Sequence, residues 1–370
     1  MIKVSLRKKV IGICLLFLIL FFLAACEKDQ EVNSEVDINP TSTPVPTADV
    51  ALEEEIEEES EEEEYALRNF VFPASGVRPY AVMIDNAGPR TLPQGGLHLA
   101  QIIYEIIVEG GETRFMPLFW EQDATMIGPV RSSRHYFLDY VMEHDAIYAH
   151  IGWSPMAQRD ISTFGISNIN GAGDVFWKLT KDRNNWQDTY TSMERLKNYV
   201  DRTNFRKTTE VEQVFKYSDK PVELLDGKDA EKIKLTYSWV MSSSFTYDPE
   251  KKIYLRDRRD APHMERVSEE QLTAKNIIVQ KVRNYPIKDD YAGRQEVVTV
   301  GSGEGYYITN GKYIEITWSK GSRREKTRYL DKEGNEILLN PGQTWIQIFP
   351  TTAKVEITNL DINEDISSPS

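Results

Sequence analysis

Cysteine is almost absent: the 370 residues contain two, Cys14 and Cys26. Both lie in the first 26 residues, so residues 27–370 hold no thiol at all. That excludes a disulfide framework, a cysteine nucleophile, thiolate-ligated zinc and an iron–sulfur cluster from the remainder. A domain of this size can bury enough surface without a disulfide. Histidine is also scarce, and His98, His135, His144, His150 and His263 show no HExxH spacing. No metal site is expected from them. Nor is there a GxxxxGK[ST] phosphate loop or a GxSxG nucleophile elbow. Gly301-x-Gly303-x-Gly305 has no helix after it, which a dinucleotide site needs, so it reads as a glycine-rich turn. Asp331–Gly334 is too short for an EF-hand loop and fits a hairpin turn. No cofactor is indicated.

What is present at the N-terminus is an address. Lys3, Arg7, Lys8 and Lys9 precede a 14-residue apolar run at 10–23, and Ala24, Ala25 and Cys26 follow. A spanning helix needs about 20 apolar residues. The pattern is that of a secretory signal peptide, expected over residues 1–25. Leu23-Ala24-Ala25-Cys26 resembles a bacterial lipobox, which implies cleavage before Cys26 and lipidation there, with diacylglycerol and palmitate. The competing reading is a plain signal peptide or an uncleaved short anchor.

The formal net charge of −14 is unevenly placed. Residues 27–64 carry 16 acids against one base, including ten Glu within 53–64, and residues 65–370 sum to only −3. The 26–64 stretch, with its lipidated cysteine, is expected to be a disordered spacer: it has too few large apolar residues to offset the entropy of ordering. As a coil it would span about 35 Å, more with charge repulsion. The body is near neutral and exported, which speaks against nucleic acid.

Beyond residue 65 the chain alternates between strand and turn signals. Strands are expected at 78–84, 102–109, 113–120 and 146–151, with an edge or irregularity at Pro117. Gly110-Gly111 makes a hairpin turn. Ser132 or Ser133 is a plausible cap for a helix running to about His144. Residues 153–210 read as loop with one helix near 192–200. From residue 232 on, strands alternate as antiparallel strands do, ending with 336–349. The expected fold class is α+β. An N-terminal mixed α/β sheet domain, 65–215, precedes a smaller β-rich C-terminal domain, 216–356, and a disordered tail, 357–370.

RPYAVMIDN (78–86), YEIIVEGGETRFMPLF (104–119), GPVRSSRHYF (128–137) and DAIYAHIGWSP (145–155) resemble the N-terminal half of the YerB-like lipoproteins. AKNIIVQ (274–280), VGSGEGYYITNGKYIEITWSK (300–320) and LNPGQTWIQIFP (339–350) resemble that family's C-terminal domain. The resemblance implies a bacterial envelope lipoprotein of two domains and no established reaction. Where it implies an Arg and a Pro-His-Asn element, this chain reads DRNNWQDTYTS at 182–192, so no histidine role carries over there. Pro262-His263 stands further on.

Arg131, Ser132, Ser133 and Arg134 are the candidate ligand-binding residues. A cation at a helix start opposes the helix dipole. The free N–H groups and forked guanidiniums together suit an anion. Glu105, Glu109 or Glu112 could supply that anion internally as a structural ion pair. Asp85, Glu109 and His150 end three predicted strands, and with the arginines they are the candidate acid–base groups. Against that stand turn chemistry for Asp85-Asn86 and a hydrogen-bonded structural role for His150. Trp153, Trp177, Trp186, Trp239, Trp318 and Trp345 could stack on sugars or serve as ordinary core and surface aromatics.

Two functions follow. The first is a non-enzymatic protein, lipid-anchored on the outer face of the cytoplasmic membrane through Cys26, that binds an anionic cell-wall polymer or an envelope protein. The second is an envelope hydrolase or transferase using Glu109, Asp85 or His150.

Overall fold

Ile102–Ile107, Asn276–Val282 and Thr344–Pro350 are apolar on both faces, and such strands must be covered on both sides. In the computed structural model, which describes residues 67, 69–182, 185 and 187–359, these three lie side by side in one twelve-stranded sheet. Thr344–Pro350 runs parallel to both neighbours and is buried throughout. The expectation that it alternates as an antiparallel strand is therefore corrected. The sequence period there was that of a doubly covered strand.

The rest of the sheet extends from this centre. On one side come Thr113–Phe119, Tyr80–Val82, Ile147–His150 and Asn168–Asn170, with Ile84–Asp85 on Thr113–Phe119. On the other come Gly301–Thr309, Lys312–Lys320 and Lys228–Asp229. Residues before and after the expected border near 215 thus share one ladder, because a C-terminal strand is hydrogen-bonded to Ile102–Ile107. A second sheet of six strands is built from Lys232–Thr236, Ser242–Asp248, Ile253–Arg258, Lys354–Thr358 and two short strands. Residues 357 and 358, expected in the tail, pair there with Ile233 and Lys232. The leader, Cys26, the acidic spacer and residues 360–370 lie outside the described residues.

Local chemistry accounts for the elements. Pro117 lies in register with Val82, next to the interruption at Met83, where the ladder partner changes from Tyr80–Val82 to Ile84–Asp85. Met83 instead gives its N–H to Ala149 and takes one from Arg131. The expected loop at 153–210 contains a helix, Pro155–Phe164: Ser154 caps it, Pro155 opens it and Gly165 ends it in the left-handed region. Helix Met193–Thr203 starts as expected, with Ser192 Oγ accepting the Arg195 N–H.

The Gly301–Gly305 run is strand, not turn. A Cβ on Gly305 would stand 2.2 Å from the Val279 carbonyl oxygen, so the glycine permits close backbone approach.

Candidate functional site

Strands Ile84–Asp85, Ile102–Ile107 and Ile147–His150 run in the same direction, because Thr113–Phe119 returns antiparallel between the first two. Their carboxyl ends therefore meet at one rim. Asp85 sits in the ladder opposite Arg114. Glu109 opens the short turn Glu109–Gly111 that follows Ile102–Ile107.

Both candidate arginines reach this rim, but not from a helix terminus. The helix begins only at Phe137, and its cap, Tyr136, gives no side-chain bond. Ser132 and Ser133 are not caps. Residues 131–133 lie outside any helix, and their backbone is bonded to neighbouring segments of the rim. Arg131 N–H donates to the Met83 carbonyl, Ser133 N–H to Gly152, and Ile151 and Ser154 donate to the carbonyls of Arg131 and Ser133.

The side chains form two linked groups. Arg131 Nε donates to Asp85 Oδ2 at 2.9 Å, and Gln187 Nε2 to the same oxygen at 3.3 Å. The Ala87 N–H donates to Asp85 Oδ1, the turn chemistry expected of Asp85-Asn86. Arg134 grips Glu109 with both Nε and Nη2, at 2.5 and 3.0 Å. The third guanidinium, Arg114, was not singled out from the sequence. It is 5% exposed and donates through Nη1 to the Ser132 carbonyl at 2.5 Å. Its Nη2 lies 3.9 Å from Glu109 Oε2, and its buried Nε has no hydrogen-bond partner. Arg114 and Arg134 thus share one carboxylate.

The electrostatics reflect that sharing. Burial, then the positive charge of Arg134, draws the Arg114 guanidinium down to about 10. Burial pushes the Glu109 carboxyl up, but the hydrogen bond and charge of Arg134 and the charge of Arg114 outweigh it, and the group is held below the usual range. Arg131 is lowered by burial, which Asp85 opposes.

His150 stands apart from this chemistry. Its Nδ1 bonds the Gly152 carbonyl at 2.9 Å, and its ring packs between Tyr148 and Trp153. Burial brings it to about 4, partly opposed by that carbonyl, so it is neutral near pH 7. The arrangement suits holding an anion, with its carboxylates already occupied as hydrogen-bond acceptors. Among the described residues no cluster of His, Cys, Asp and Glu could hold a metal ion.

A second polar cluster, invisible in the sequence, joins the two sheets. Arg256 is fully buried and donates through Nη2 to Glu105 Oε2 at 2.8 Å. Ser243 and Thr113 also donate to Glu105, and His263 touches Arg256 and Gln94. The rings of Phe115, Phe245 and Trp345 surround the guanidinium at 4.6–5.6 Å. Arg258 beside it binds the side chain and carbonyl of Asn86. Only the alternating pattern of Leu255, Arg256 and Asp257 could have hinted that an arginine points inward. Its partner lies 151 residues away.

Comparison with known proteins adds the following. Residues 73–206 match a family described as "Protein of unknown function (DUF3048) N-terminal domain", and residues 233–346 match its C-terminal domain. YerB of Bacillus subtilis (strain 168), whose name gives it as a candidate lipoprotein, is 29% identical over 283 residues, covering 74% of this chain and 81% of that one. The crystal structure of YerB from Bacillus subtilis superposes with a TM-score of 0.67 at 26% identity, covering 76% of this chain and 94% of that chain.

Proposed function

We propose that this chain, which belongs to the two-domain YerB-like lipoprotein family of unassigned function, is a lipid-anchored binding protein rather than an enzyme. The lipid on Cys26 holds it at the outer face of the bacterial cytoplasmic membrane, and the acidic segment to residue 64 spaces the body from the surface. The rim of Arg114, Arg131 and Arg134 takes an anionic group carried by an envelope component, a cell-wall polymer or an envelope protein.

One observation carries the reading. Arg114 and Arg134 converge on the single carboxylate of Glu109. An anion docking beside Arg134 would relieve the mutual repulsion of the two guanidiniums. Arg134 keeps 12% of its side chain exposed and Arg131 keeps 24%, so the rim is reachable from solvent.

The test is titration of the detergent-solubilised full chain with inorganic phosphate. Arg134→Gln removes one guanidinium charge from the rim, and a hydrogen bond to a charged group is worth about 1.5–3 kcal/mol, so binding should weaken tenfold or more. Equal binding by wild type and variant would remove the rim from the account. In cells, Cys26→Ser should move the protein from the membrane to the soluble fraction. Retention at the membrane would point to an uncleaved anchor.

A further inference from the structure

A cleft of about 320 Å³ lies between the helices Phe137–Glu143 and Pro155–Phe164 and a hairpin of the C-terminal half. Among the described residues the hairpin strands, Asn284–Pro286 and Gln295–Val297, pair only with each other. Side chains tie this arm across the cleft. Glu296 Oε2 accepts from His135 Nε2 at 3.0 Å, and the Thr299 hydroxyl donates to Asp139. The charges of the cleft floor are matched internally. Arg323 donates to Asp139 at 2.6 Å, to Asp160 at 2.8 Å and to the His135 carbonyl at 3.0 Å. Arg159 donates to the other oxygen of Asp160 at 2.8 Å. Two guanidiniums thus meet two carboxylates.

Glu296 is different. Its partner is an imidazole rather than a guanidinium, its side chain is 36% exposed, and its Oε1 has no hydrogen-bond partner among the described residues. A carboxylate only accepts, so His135 Nε2 carries the hydrogen and Nδ1 of the neutral ring holds the lone pair. The His135 side chain is 10% exposed, its ring lines the cleft, and Nδ1 has no partner. The cleft therefore holds two unanswered acceptors and one carboxylate without a fixed cation. Met156, Tyr285, Val297 and Val298 add apolar wall around them.

We infer that this cleft seats a lysine side chain of a peptide, with its ammonium on Glu296 and its aliphatic stem along Met156 and Tyr285. An ammonium answers the free carboxylate oxygen with a charge-assisted bond. Arginine gains its advantage from two parallel bonds to one carboxylate, and only one oxygen of Glu296 is free. The two acceptors are set at opposite edges of the imidazole, so one donor atom cannot serve both. A lysine residue carries two separate donors, the ammonium and the backbone N–H, and the second suits the Nδ1 lone pair. Between them the methylenes of the stem leave water against the apolar wall. The site shares no residue with the arginine rim, so the two stand or fall separately.

The full chain in detergent is titrated by calorimetry with acetyl-Ala-Lys-Ala-amide and with the same peptide carrying norleucine, which keeps the stem and lacks the ammonium. The lysine peptide should bind at least tenfold more tightly than the norleucine peptide. Glu296→Gln should remove that difference, and Met156→Ala should weaken both peptides about threefold. Inorganic phosphate binding should be the same in wild type and Glu296→Gln. Equal binding of the two peptides by wild type, or lysine preference that survives Glu296→Gln, would overturn the inference, as would absence of binding to either peptide. Each of those results would leave the anion site at the rim untouched.

Discussion

The junction between the sheets and the rim use the same ion pair, guanidinium with carboxylate, in opposite surroundings. At the junction Arg256 and Glu105 are both fully buried, and aromatic rings and hydroxyls close every side. At the rim, Arg134 and Arg131 are partly open to water, and Glu109 answers to two guanidiniums. The difference teaches where an ion pair is spent on architecture and where charge is left over. In the dry pair Glu105 meets one guanidinium directly, and the hydroxyls of Thr113 and Ser243 also donate to the carboxylate. A half-wet rim can hold an excess at modest cost, because solvent screens it and an incoming anion can neutralise it.

The largest effect should come from breaking the dry pair. Arg256→Ala leaves Glu105 charged, buried and unpaired, and should cost about 3–5 kcal/mol of unfolding free energy in denaturant titration. A loss below about 1 kcal/mol would mean the junction is wetter than described, and the contrast would fail.

Acid should come next. His144 and His150 are both brought by burial from 6.5 to about 4. Folded, they stay neutral where the unfolded chain would bind protons. Their contribution to stability is therefore complete above about pH 6.5 and is lost as the pH falls towards 4, at up to about 1.4 kcal/mol per pH unit for each histidine. Melting temperatures between pH 7 and 4 should show this slope, and His150→Gln should flatten it. A slope unchanged by His150→Gln would place that histidine in a wetter setting.

At the rim, Arg131→Gln strips the charged partner from the 1% exposed Asp85 side chain and should cost about 1–3 kcal/mol. It should be more damaging than Arg134→Gln, because the Asp85 side chain is 1% exposed and that of Glu109 20%, while each carboxylate keeps the nearby charge of Arg114. The reverse order, measured by thermal melts, would mean that Asp85 is wetter than described. Trp239→Ala should be smallest, within about 0.5 kcal/mol of wild type. A larger loss would show that the ring packs.

Much of this was legible beforehand. The strands from Tyr80 to His150, the helix after Ser192 and the Asn276–Val282 strand announced themselves through apolar runs, a capping serine and β-branched residues. Asp85 and Glu109 at one rim followed from strand ends alone. The continuity of the sheet did not, because periodicity says that Thr344–Pro350 is covered on both faces but not which strands cover it. The true setting of Arg131 and Arg134 was also hidden. Ser132 and Ser133 suggest a helix start, but tertiary hydrogen bonds to Met83, Gly152 and Ser154 hold that stretch out of the helix, which begins at Phe137. Arg114 escaped notice because its importance lies in register: it faces Asp85 across the ladder, and no spacing in the chain reports that. Trp239 was visible only as one of several scattered tryptophans. Its near-complete exposure distinguishes it from Trp345, which is buried against Arg256.

Glu109→Gln offers the most direct trial of the shared-carboxylate claim. The substitution removes the internal anion while leaving both guanidiniums and the shape of the rim in place. Phosphate titration of the full chain by calorimetry should then show tighter binding than wild type, because the site has lost its competitor. Weaker or unchanged binding, with the fold intact, would mean that Glu109 and the arginines are a closed structural pair and that no external anion is held there.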